Sequence, residues 1–131
     1  MIDWSTVTHF KSFEFDSADA PGSGARMDET FVRLLDALRD ACGFPLIVLS
    51  GFRTPSHNAA VDGEPNSAHL RGLAADLKAL TSHDRFIIKR EAMKLGVNRI
   101  GTGTGFVHLD IDRSLPQEVE WLYPPSLKRT T

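Results

Sequence analysis

Gly105-Phe-Val-His-Leu-Asp-Ile-Asp112 alternates strictly between apolar and polar residues from Val107 onward. A period of two marks a strand, with Val107, Leu109 and Ile111 on one face and His108, Asp110 and Asp112 on the other. Upstream, Ser67-Ala-His-Leu-Arg-Gly-Leu-Ala-Ala-Asp76 runs into a second strand, Leu73 to Leu77, on which Asp76 shares a face with Ala74. His69 precedes it across Gly72, where a turn can fold the imidazole back toward Asp76. Polar side chains on one face of an otherwise apolar strand cost free energy if they are buried without a partner, and a cation would compensate them. Paired side by side, the two strands bring His69, Asp76 and His108 together. Two imidazoles and a carboxylate suit one zinc ion and leave a fourth tetrahedral position open.

The flanking sequence supplies the rest of the fold. Asp28 is placed to cap a helix whose Phe31, Leu34, Leu35, Leu38 and Cys42 recur at three- and four-residue spacing and which ends at Gly43. Phe44 to Ser50 reads as a short buried strand with Pro45 at its start, and residues 52–67 as a long surface loop of the functional kind. Ser82 is expected to cap a second helix carrying Ile88, Ala92 and Leu95 and ending at Gly96. Val97 to Ile100 and Phe106 to Asp112 read as strands joined by the hairpin connection Gly101 to Gly105. The expected fold class is α+β, a small antiparallel sheet carrying the zinc site with two main helices packed on it. The 131 residues suit one domain, 1–131, with an irregular N-terminal arm over residues 1–25 and a loose tail over residues 124–131.

Composition narrows the function. A formal charge of -2, with Lys and Arg interspersed among Asp and Glu, leaves no basic stripe for nucleic acid or an anionic membrane. Cys42 cannot form an internal disulfide, because it is the one cysteine of the chain, and reads as a small hydrophobe. The N-terminus lacks the basic opening and apolar segment of a secretory signal, and no stretch approaches the ~20 apolar residues of a membrane span. A monomer made in the cytoplasm is expected.

The frame Ser67-x-His69-x-x-Gly72-x-Ala74-x-Asp76 with His108-x-Asp110 downstream resembles the zinc peptidases of the M15 family, which include D-Ala-D-Ala carboxypeptidases, dipeptidases and phage L-alanyl-D-glutamate endolysins. Ser50-Gly-Phe-Arg-Thr-Pro-Ser-His-Asn-Ala-Ala-Val61 is similar to the segment before the first zinc ligand in the branch close to phage and prophage enzymes. The likeness extends over roughly residues 9–123 as ordered motifs. It implies a zinc site on an antiparallel sheet and a peptidoglycan stem peptide as substrate, cleaved by carboxypeptidase or endopeptidase action. It further implies a wall reached after release from the cytoplasm or from a virion.

Carried over position by position, the resemblance makes His69, Asp76 and His108 the metal ligands. Arg53 matches the arginine that holds a substrate carboxylate, a bidentate task suited to its planar fork. Ser67 is a substrate hydrogen-bond donor or a loop cap. Many family members place an acid three residues before the last histidine as general base, and Gly105 stands there instead. Asp110 is then the candidate base, or else a carboxylate that orients a ligand, with Asp112 a weaker candidate. The missing acid also leaves open a non-catalytic, zinc-containing wall-binding or phage structural module.

Overall fold

The computed structural model describes residues 1–129. A five-stranded sheet of order β1-β2-β4-β3-β5 carries the architecture, formed by β1 (Val48–Ser50), β2 (Ala74–Lys78), β3 (Arg99–Gly103), β4 (Phe106–Asp110) and β5 (Val119–Leu122). Three α-helices accompany it, α1 (Glu29–Cys42), α2 (Pro55–Ala60) and α3 (Ser82–Lys94). The class is α+β, and α1 and α3 are the two main helices.

Helix α1 begins where the Asp28 carboxylate accepts a hydrogen bond from the Phe31 amide, and it stops at Gly43 in the left-handed region, φ 75°. Its inner face buries Phe31, Val32, Leu35 and Leu38. The cap of α3 is Thr81, whose hydroxyl accepts from the Asp84 amide; Ser82 is the first helical residue. Ile88 and Ala92 are buried as expected, whereas Leu95, just past the helix end, is 39% exposed. The helices and the aromatic arm bury one face of the sheet, where Ala75, Leu77, Ile100, Val107 and Leu109 join Phe10, Phe15 and Phe31 in a common core. The arm is wound into three 3-10 turns at Trp4–Thr6, Ser12–Phe15 and Ser23–Arg26, and its Phe10 and Phe15 are buried while Phe13 is exposed.

Four details depart from expectation. The expected surface loop over residues 52–67 contains α2, capped by Thr54, and Phe52, Arg53 and Asn58 within it are buried. The run after Pro45 pairs only over Val48–Ser50, at the edge of the sheet, so it is a short rim strand that buries Leu46 and Val48 in the core while Ile47 is exposed. The Gly101–Gly105 connection is mostly strand: β3 runs to Gly103, which pairs with Phe106, and only Thr104 and Gly105 make the turn. Strand β5, unforeseen, lies parallel to β3, so the sheet is mixed, with its other three pairings antiparallel. Beyond β5, Leu127 donates to the Pro124 carbonyl and Lys128 bridges to Thr104. Thr130 and Thr131, the last residues of the expected tail, lie outside the described residues.

Candidate metal centre

Register brings the polar residues together. In the β2–β4 pair Asp76 faces His108 and Ala74 faces Asp110, so the side chains that alternate away from the core converge on the opposite face. His69 arrives from the 3-10 turn Ala68–Arg71, which the Ser67 hydroxyl caps by accepting from the His69 amide at 3.1 Å. Gly72 then turns the chain at φ 71° against the Arg26–Asp28 backbone, where a Cβ would sit 2.5 Å from the Arg26 carbonyl oxygen. Only glycine meets both demands. Ser67 is therefore seen in the capping role, with its hydroxyl directed at backbone.

One donor atom from each of His69, Asp76 and His108 lies within 4.8 Å of the others, and all three residues are buried. His69 Nδ1 lies 2.7 Å from the Gly51 carbonyl oxygen. A carbonyl can only accept, so Nδ1 carries the proton and Nε2 presents a bare lone pair. Burial disfavours the charged form and lowers the His69 pKa, which keeps the ring neutral. That lone pair has no hydrogen-bond partner among the described residues and faces Asp76 Oδ1 at 3.3 Å, two acceptors with no proton between them. An ion pair by distance alone, this contact is repulsive by chemistry. A buried lone pair beside a buried carboxylate oxygen is costly as it stands and satisfied by a cation.

His108 is held at both ends, with Nδ1 2.9 Å from Asp76 Oδ1 and Nε2 2.7 Å from Asp110 Oδ2. Burial opposes its charge, but the bonds to Asp110 and Asp76 outweigh that and raise its pKa. Asp76 shows the complementary effect. Burial alone would raise it, yet His69 and His108 hold it well below the usual carboxylate range. The atoms turned toward one another are thus His69 Nε2, Asp76 Oδ1 and His108 Nδ1, a donor set that fits a metal ion.

The other named residues surround this set. Arg53 Nη2 donates to Asp76 Oδ2 at 3.0 Å, Nε to Ser50 Oγ at 2.9 Å and Nη1 to Asn58 Oδ1 at 3.1 Å. Asn58 in turn donates to the Glu64 carbonyl, which ties the loop together. Asp110 accepts from Arg99 Nε at 2.7 Å and from the Asp112 amide at 3.1 Å, besides its bond to His108 Nε2. Burial would raise its pKa, and the hydrogen bond from His108 reverses this. It sits behind the imidazole, on the far side from Nδ1, the position of a carboxylate that orients a ligand. Asp112 is occupied with Ser114 and Arg71. Gly105, at φ 79°, closes the β3–β4 hairpin and offers its carbonyl to the Ala79 amide. An acidic side chain there would have to adopt a left-handed backbone.

Four residues of this face escaped the sequence reading. Arg99 pairs in register with Asp110, a cross-strand charge pair that strand alternation around Val97–Ile100 would have revealed. Trp121 and Tyr123 lie over β3 because Gly101 has no side chain, a Cβ there falling 2.5 Å from Trp121 Nε1 and 2.7 Å from Tyr123 Cε2. They wall the site, with the Trp121 and His108 rings 5.3 Å apart, and burial pushes the Tyr123 phenol up to about 12. The alternation of Val119-Glu-Trp-Leu122 was their available signal. Arg129 donates from Nε to Asp76 Oδ2 at 3.1 Å, and no local pattern marks it.

The protein-family model described as Peptidase M15 matches residues 9–110, a span that includes every residue of the His69–Asp76–His108 set. No curated protein matches the chain.

Proposed function

The chain belongs to the peptidase M15 family, and we propose that it is a zinc-dependent peptidase that hydrolyses a peptide bond in the stem peptide of bacterial peptidoglycan. The observation that carries the metal part is the partnerless, buried Nε2 of His69 facing Asp76 and His108. In this reading zinc is held by His69 Nε2, Asp76 and His108 Nδ1, a set of the three-ligand kind that leaves a position for substrate or water. When bound, zinc supplies Lewis acidity toward a scissile carbonyl and toward water.

The chain's own residues do the rest. Gly51 fixes the tautomer of His69 through its carbonyl, and Asp110, anchored by Arg99, takes the Nε2 proton of His108 as a hydrogen bond and frees Nδ1. Arg53 braces the outer oxygen of Asp76 and so leaves Oδ1 directed at the histidines. Trp121 and Tyr123 shield one side of the His108 imidazole from water. A cleft of about 660 Å³ is lined by Arg53 and Arg129, the two arginines bonded to Asp76, together with His57 and Val61, and has room for a short stretch of peptide.

A second reading is favoured by Gly105 and by the full occupation of Asp110 and Asp112. It is a non-catalytic module that keeps zinc for its fold or for holding a wall fragment, including one carried on a phage particle. Mass spectrometry of muropeptides after incubation with the protein separates the two, with chelator and His69→Ala as controls. Loss of one D-alanine identifies a carboxypeptidase, and scission at L-Ala–D-Glu an endopeptidase. Intact muropeptides from a fully zinc-loaded protein would leave the binding module standing. Detection in purified virions would identify a particle component.

A further inference from the structure

Arg53 is poorly placed to greet a ligand. It is 2% exposed, each of its three nitrogens donates to a protein acceptor, and the Gly63 backbone packs against it so closely that a Cβ would lie 2.9 Å from Nη1. Arg129, with 9% of its side chain exposed, is less fully engaged. Its Nε holds Asp76 Oδ2 at 3.1 Å, its Nη1 is 3.5 Å from the Val61 carbonyl oxygen, and its Nη2 makes no hydrogen bond to the described residues. The side chain borders the same cleft as Arg53, with its guanidinium carbon 5.7 Å from the centre of the Phe106 ring. Phe106 and the Lys128–Thr104 bridge hold it there.

Charge points the same way. Arg99 and Asp110 neutralise each other, which leaves one carboxylate, Asp76, against two guanidinium groups that share its Oδ2. Glu14, Asp16 and Asp62 line the same cleft, so the excess is local to the two guanidinium groups at Asp76, where a divalent cation at the histidines would deepen it and an anionic group relieves it. A guanidinium with one edge engaged and the other free suits a planar carboxylate.

We propose that Arg129 is the residue that binds a substrate carboxylate, so that the cleft selects peptides with a free carboxylate near the scissile bond, while Arg53 acts as the positioning residue for Asp76. The inference rests on the peptidase reading for its substrate class. Its test uses the zinc-loaded protein and L-Ala-γ-D-Glu-L-Lys-D-Ala-D-Ala, once as the free acid and once with both carboxylates converted to amides. Binding is measured by calorimetry and cleavage by steady-state kinetics. Arg129→Ala should weaken free-acid binding about 10- to 100-fold, the effect of one charge-assisted hydrogen-bonded contact. Binding of the amide should change far less than binding of the free acid, so the variant loses the preference for acid over amide. Arg129→Lys should recover part of the loss, since it restores the charge without the fork.

Equal loss for acid and amide, or no loss for either, would overturn the assignment, because an arginine that merely fastens the chain end has no means to tell them apart. Acid-selective binding without cleavage, still lost in Arg129→Ala, would support the assignment while overturning the peptidase reading. A wild-type protein that binds neither peptide would overturn both.

Discussion

Replacing Asp110 with Asn separates two roles that sequence leaves open, general base and orienting carboxylate. In the native arrangement His108 donates from Nε2 to Asp110 Oδ2 and from Nδ1 to Asp76 Oδ1 at 2.9 Å, and because Asp110 only accepts, it keeps the proton on Nε2 when a metal replaces the one on Nδ1. The asparagine can keep an oxygen on Arg99 and the Asp112 amide, but it then turns its NH2 toward Nε2. That NH2 donates, so the imidazole proton moves to Nδ1, the very atom a metal needs. Loss of an outer partner of a ligand typically lowers metal affinity about 10- to 100-fold, or about 1.4–2.7 kcal/mol. Independently of metal, the charged partner of a buried Arg99 disappears, which should cost about 1.5–3 kcal/mol. At about 2 cal/mol/K per residue, that lowers the melting temperature by about 5–11 °C. Zinc affinity by chelator competition and calorimetric melting of the metal-free protein measure the two effects. Unchanged zinc affinity together with abolished hydrolysis would refute this reasoning and return Asp110 to the role of base.

Gly105→Glu, which puts an acid where many family members have one, should not create or raise hydrolysis and should destabilise the protein by about 1–2 kcal/mol, since φ there is 79°. The space is open, with only Leu80 Cδ2 at 3.6 Å, so denaturant melts that show no loss would mean the hairpin can change shape. Gly101→Val should push Trp121 and Tyr123 off β3 at a cost of about 1–3 kcal/mol, visible as a red shift and increased quenching of tryptophan fluorescence; an unaltered spectrum would contradict that packing. Asp112 is depressed below the usual carboxylate value, its burial being outweighed by Ser114 and Arg71. A depressed carboxylate contributes stability that is present above its unfolded value, about 3.9, and is lost as pH falls through the lower folded value. Asp112→Asn should therefore melt lower than the native protein at neutral pH, with the gap narrowing as pH falls below the unfolded value; a gap independent of pH would rule out the ionic contribution.

The alternation Val107-His-Leu-Asp-Ile111 and the Leu73–Leu77 run were enough to predict β4 and β2 and the face that each polar residue occupies, because a strand's period of two is a local property. Capping is equally local, so Asp28 and Gly43 bound α1 as expected. The errors fall where neighbours decide. Whether Val48–Ser50 is a central or an edge strand depends on what pairs with it, and a one-residue shift of the α3 cap to Thr81 lies within the tolerance of two adjacent hydroxyl residues. No local pattern announces that β5 returns parallel to β3, since such a return is set by long-range packing on Gly101.

By itself the sequence determined which residues can bind a metal, the strand faces they occupy and the family motifs they belong to, all of which are carried by residue type and short-range periodicity. Only the tertiary structure decided what each polar atom is free to do. It set the tautomer of His69 through a carbonyl 18 residues away, put Asp110 behind His108, enclosed Arg53 and brought Arg129 across 53 positions to Asp76. The physical reason is that a hydrogen-bond donor or acceptor is defined by its chemistry but spent by its neighbours, and neighbours distant in sequence are assembled only when the chain folds.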